Sequence, residues 1–141
     1  MIKTIKSILL LVTTSLIITS CEVEVTTAHI ENITICTTLD GETCESNNPI
    51  ISPSDPNIYV SCELQNAPQN TLITFIWKYT DGEDPIIIDE IILNSSDIGV
   101  NVNLNSSLSR PYNGWPIGRY EVEVSIGGDE NDTLIKYFEV R

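Results

Sequence analysis

Cys36, Cys44 and Cys62 stand at intervals of 8 and 18 residues, and the sequence holds a single histidine, His29. A thiol works as a nucleophile when a base sits beside it. His29 falls in a polar stretch that reads as a tether, away from the body of the chain, so a Cys–His catalytic pair is not expected. Structural zinc calls for ligands in closely spaced pairs, and one His with three Cys at these intervals form no such pair. Cross-linking is the chemistry left to the thiols. Joining Cys36 to Cys44 would close a short loop, contributing about 2.5 kcal/mol in the chain-entropy account. Joining Cys36 to Cys62 would instead staple two strands. The first pairing is favoured, because Cys62 falls on an apolar parity where cysteine behaves as a small buried hydrophobe.

The carboxylates are many and dispersed. Asp89 and Glu90 are neighbours on a strand pattern, so they point to opposite faces and cannot act as an acid–base pair. Asp81, Glu83 and Asp84 share one turn, and Asp129, Glu130 and Asp132 share another. Oxygen ligands gathered in a loop can hold Ca²⁺, but neither run has the spacing of a known calcium loop. Solvated turns are the expected state, with Asp129, Glu130 and Asp132 as weak Ca²⁺ candidates and no other metal site. Trp115, between Gly114 and Pro116, could stack on a sugar or fill a partner's pocket, and Arg110 and Tyr112 just upstream could join it. Against that stands a plug role, in which the Trp115 indole closes one end of the core.

These residues need a scaffold, and the apolar pattern describes one. No segment after Cys21 repeats apolar residues at helical spacing over three turns, whereas period-two alternation recurs between turn signals. Strands are expected over about 30–39, 58–64, 71–79, 85–93, 100–104, 118–126 and 134–140. Ile58, Val60, Cys62 and Leu64 should face inward, as should Ile73, Phe75, Trp77 and Tyr79. Turns fall at Asp81–Gly82 and Gly127–Gly128. Two long connections, 40–57 and 105–117, would carry the chain between sheets, with Pro49, Pro53 and Pro56 keeping the first out of any ladder. About seven strands joined this way predict an all-β, Greek-key β-sandwich in a single domain, 30–141.

The chain begins with Lys3 and Lys6, an apolar run from Ile8 to Ile18, and then Thr19, Ser20 and Cys21. That is the plan of a signal peptide, and its apolar run of about 11 residues is short of the roughly 20 that a membrane span needs. Ile18-Thr19-Ser20-Cys21 resembles the lipobox of bacterial lipoproteins. The resemblance implies removal of residues 1–20 and lipid, palmitate included, on Cys21, giving a membrane anchor through the N-terminal lipid, and no other cofactor is expected. Residues 21–29 would then be the lipidated cysteine and a tether reaching about 25 to 30 Å. Export to the cell envelope would place the remaining thiols where disulfides persist, with the periplasmic or surface-exposed face left open. Formal charge is −13 for the whole chain, 7 basic against 20 acidic residues. Such a field repels phosphate, so nucleic acid is excluded as a partner.

Cys62, Trp77 and Tyr120 two residues ahead of Val122 resemble the immunoglobulin-fold pattern of strand-B Cys, strand-C Trp and tyrosine corner, with Val122 where the second Cys would stand. The intersheet disulfide is therefore absent. The runs Trp77–Gly82, Asn113–Val124 and Phe138–Val140 resemble an Ig-like module of functionally uncharacterised prokaryotic envelope proteins. The module implies a non-enzymatic binding or structural role toward an unknown protein or glycan partner. A small-ligand module taking carbohydrate or Ca²⁺ through its loops is the alternative. Arg110-Pro111-Tyr112 resembles one loop motif of the chagasin-type cysteine protease inhibitors. The other loops of that family have no counterpart here, so inhibition is only a third reading.

Overall fold

A computed structural model describes residues 27–127 and 132–141. Cys21, Asp129 and Glu130 lie outside them. The elements in chain order are β1 (His29–Cys36), β2 (Leu39–Asp40), β3 (Thr43–Cys44), β4 (Ile50–Ile51), β5 (Asn57–Gln65), β6 (Leu72–Tyr79), β7 (Ile86–Asn94), α1 (Ser95–Ile98), β8 (Val102–Ser109), β9 (Gly118–Ile126) and β10 (Thr133–Val140). One sheet has the order β1-β5-β8 and the other β4-β10-β9-β6-β7. Neighbours are antiparallel except β4 and β10, which run parallel. The chain changes sheet between β5 and β6, returns between β7 and β8 through α1, and changes again between β8 and β9. This is the immunoglobulin-like Greek key, an all-β sandwich.

Alternation builds the core. Ile58, Val60, Cys62 and Leu64 of β5, Ile73, Phe75 and Trp77 of β6, and Tyr120, Val122, Val124 and Ile126 of β9 are all buried. Trp77 lies between the sheets, opposite Val122 in register, with its ring edge toward Phe138 at 6.0 Å between centroids. Its indole N–H donates to Ser106 Oγ at 2.9 Å, a buried bond from the larger sheet to the smaller. Tyr120 stacks on Phe138 at 5.1 Å, and its hydroxyl donates to the Pro116 carbonyl at 2.6 Å, tying the connection before β9 to the core. Gly118 opens β9 at φ +140, and a Cβ there would stand 2.6 Å from Asp81 Oδ2, so the carboxylate that receives Arg119 Nε at 3.2 Å requires glycine beside it.

Three expectations need correction. The stretch 105–117 is a connection only after Ser109. Ser106 and Leu108 continue β8 into the core, and serine fits there because Trp77 supplies its partner. Within 40–57, Ile50 and Ile51 do enter a ladder, lying between Pro49 and Pro53 and pairing with Glu139 and Val140. A proline flanking a two-residue edge strand removes no bond that the strand makes. The first strand starts at His29 and ends at Cys36, where the chain turns into the small β2–β3 hairpin. That hairpin lies over the outer face of the smaller sheet. Cys44 N–H donates to Ser61 Oγ at 2.9 Å, Asn105 Nδ2 donates to the Glu42 carbonyl at 3.3 Å, and Ser61 is buried although it faces away from the core. A Cys36–Cys44 disulfide holds the hairpin down, Cα to Cα 5.6 Å.

Candidate functional site

Arg110 and Trp115 both dock on the segment Pro53–Pro56, so the expected loop residues meet there without leaving a binding face. Trp115 is 6% exposed, and its indole N–H donates to the Asp55 carbonyl at 2.6 Å, so it closes the end of the sandwich and offers no face to a sugar. Its neighbour Tyr112 stands fully in solvent, and Arg110 turns its guanidinium onto the Ser54 carbonyl. Among the described residues no group of three His, Cys, Asp or Glu could hold a metal ion. Asp132 is described without its expected companions Asp129 and Glu130. Asp81 is taken by Arg119. Cys62 is a buried free thiol, pushed up to about 12 first by burial and then by the nearby Glu63, so it stays protonated and inert.

The unexplained feature lies elsewhere, on β7. This strand closes one edge of the larger sheet, paired with β6 on one side and, among the described residues, with nothing on the other. Alternate residues of such a strand turn their N–H and C=O groups away from the sheet. Along it Ile86, Ile87, Ile88 and Ile92 are 61%, 58%, 43% and 57% exposed. A register shift between Trp77 and Lys78 lets Ile87 face Lys78 and Asp89 face Trp77, which breaks strict alternation and brings isoleucines out on both faces. No lysine and no proline interrupts the strand; its polar centre is Asp89-Glu90, with the Glu90 N–H donating to Asp89 Oδ1 at 2.9 Å.

The outer face beside this edge continues the surface. Across it Ile87 stands by Lys78 and Glu121, and Glu90 by Ile76 and Glu123. Ile135 and Tyr137 follow on β10, partly or largely exposed. Lys78 Nζ lies 2.5 Å from Glu123 and 3.7 Å from Glu121. The bond that Lys78 donates to Glu123 raises its pKa against the opposing effect of burial, and both glutamates add to the rise, so its charge is spent within the face. What remains exposed along the edge is negative: Glu90 on the outer face, Asp89 on the opposite face in register with Trp77, and Asp84 just before the strand.

On the same outer face, toward the β4 edge of the sheet, a cleft of about 520 Å³ is lined by Ile50, Arg119, Glu121, Tyr137 and Glu139.

The sequence places a strand over 85–93, and β7 is there; what that reading missed is its exposure at an open edge, and the signal was present. Two aliphatic runs on either side of an acidic pair that must point to both faces cannot be a strand with both faces covered, so the run had to be exposed at an edge.

No family model and no curated protein matches the chain. Among solved structures, a Niemann-Pick type C2 protein from the Japanese carpenter ant is similar at TM-score 0.48 and 11% identity, over 81% of this chain and 92% of that one. A β-glucosidase from Erythrobacter marinus is similar at TM-score 0.45 and 11% identity, over 81% of this chain but 15% of the enzyme. The β-glucosidase of Listeria innocua is similar at TM-score 0.44 and 10% identity, over 81% and 16%.

Proposed function

We propose that this protein is a lipid-anchored component of the bacterial cell envelope whose sandwich is a non-enzymatic binding module, and that it engages a protein partner along β7. Anchoring is supported by the lipobox-like Ile18-Thr19-Ser20-Cys21. The binding role is supported by one observation above the rest: a nine-residue edge strand without lysine or proline that keeps exposed isoleucines on either side of its bulge and its Asp89-Glu90 centre. Edges of this kind pair readily with other strands, and a protein kept in water blunts them unless they are to be covered. Two measurements test the proposal. Cys21→Ser should release the chain from the membrane fraction or block its processing, and unchanged fractionation and mass would refute lipidation. A photocrosslinker placed at Ile87 in intact envelopes should yield a discrete adduct that the same probe at Ser107 on β8 does not. Equal labelling, or none, would overturn the edge.

The cleft beside Tyr137 favours a second reading, a small-ligand module for carbohydrate, because an exposed ring stands there over Arg119, Glu121 and Glu139. Thermal melts with and without oligosaccharides, and with and without calcium, separate the two readings. A ligand that binds only the native state raises the midpoint.

A further inference from the structure

Resting on the edge reading, we infer that the occupant of β7 is an extended strand of another protein with apolar residues on either side of a Lys/Arg centre, added to the larger sheet as a sixth strand. Main-chain bonding to an open edge supplies affinity without regard to sequence, so the side chains decide who binds. The pattern of β7 is Ile86-Ile87-Ile88, Asp89-Glu90, Ile91-Ile92-Leu93, with isoleucine at 58% exposure on one flank of the acids and 57% on the other. A strand laid along it therefore meets aliphatic surface at both ends and two carboxylates in the middle.

Charge separates the candidates. A second copy pairing antiparallel about a two-fold axis at Asp89 would set Asp89 against Asp89, an axis at Glu90 would set Glu90 against Glu90, and a parallel copy in register would set each beside itself. Like charges directly opposite are destabilising on a sheet, and each copy brings a net −13 to the encounter. Residues 22–25 of this chain, Glu22-Val23-Glu24-Val25, alternate like a strand but place glutamates against the same centre. Among the described residues the cations of the larger sheet nearest the edge do not relieve this conflict from within, because Lys78 is held by Glu121 and Glu123 and Arg119 by Asp81. A Lys or Arg on the incoming strand does relieve it, and meets the Asp89 carboxylate at the strand's centre.

The test uses the full chain and two synthetic peptides, each about eight residues long to match β7. Both alternate valine and threonine; one carries Lys-Arg at its centre and the other Glu-Asp. The basic peptide should bind saturably, weaken with salt, slow amide exchange across Ile86–Asn94, and bind about tenfold more tightly than the acidic one. Glu90→Lys should abolish that preference, and Glu90→Gln should narrow it. Either variant's melting curve shows whether it still folds. Equal binding of the two peptides overturns the inference. Slowed exchange on β7 as protein concentration rises, with no peptide present, also overturns it, by making a second copy the occupant while leaving the edge reading intact. Exchange on β7 that responds to neither peptide nor concentration removes the basic strand, and the Ile87 crosslink then decides separately whether the edge is used at all.

Discussion

β7 and β8 follow one another through α1, and each closes an edge of its own sheet. On β8 alternation is kept to the end: Leu104, Ser106 and Leu108 go inward, and Asn103, Asn105, Ser107 and Ser109 face solvent or the hairpin above them. On β7 the acids take the middle and the isoleucines take the surface. Among the described residues both strands carry open backbone along one side, so backbone does not distinguish them. β8 shows an incoming strand amides and hydroxyls that water satisfies equally well. β7 shows it apolar area that water does not. An edge becomes adhesive through what flanks its hydrogen-bonding groups, and the two strands of this molecule isolate that variable.

The largest test of the comparison is the side chain that joins the two halves. Trp77 sits beside β7 in the larger sheet and donates to Ser106 on β8. Trp77→Ala should cost about 3 to 5 kcal/mol by denaturant midpoint, since it removes a fully buried ring and its bond together. A variant as stable as wild type would mean that the two edges are not held by a common core.

Alkali comes next. Cys62 lies opposite Leu104 on the inner face, and burial pushes its thiol from 9.0 up to about 12. Tyr120 is likewise raised to about 12, by burial first and by Tyr79 second. In both cases the unfolded chain gives up its proton before the folded one. Stability is therefore full below about pH 9, and falls as pH rises through the window from 9 to 12. Cys62→Ala should flatten the early part of that fall, leaving the part that begins near 10 for Tyr120. A melting profile in which the variant and wild type decline in parallel would contradict this.

Ser106→Ala should cost less, about 1 to 3 kcal/mol, by leaving the Trp77 N–H buried without an acceptor. Smallest of all is the change on the adhesive edge. Ile92→Lys should leave the midpoint within about 0.5 kcal/mol, because the side chain is 57% exposed, while abolishing capture of a strand on β7. A large loss of stability there would mean that the isoleucines serve the fold and not a partner.

Much of the sandwich is legible wherever one face of a strand is dry and the other wet. β5, β6 and β9 declare themselves by alternation, and Trp77 and Tyr120 mark the fold by their spacing from Cys62 and Val122. What escapes the sequence has specific causes. Ser106 looks like loop because serine is costly in a core unless a distant donor meets it, and Trp77 is 29 residues away. β4 is two residues long and is defined by a parallel partner at the far end of the chain. The loop residues that look most suited to binding are engaged locally: Trp115 by Asp55, Arg110 by Ser54. The surface that does stand open is aliphatic, and an isolated aliphatic run reads first as core. Only the acidic pair inside it betrays exposure.

The parallel pairing of β4 with β10 has a mechanical consequence. β1 starts at the end of the sandwich that holds Gln65 and Ile126, and β10 finishes at the opposite end, beside Gly118, with Arg141 beyond it. A pull between the first and last described residues therefore runs along the strands. β10 is gripped on both sides, by β9 over its whole length and by Ile50 and Ile51 at its last turn of ladder. Its inter-strand bonds lie across the direction of such a load, so they are strained together in shear and cannot be peeled one at a time. A domain tethered at one end and tugged at the other thus resists as a block.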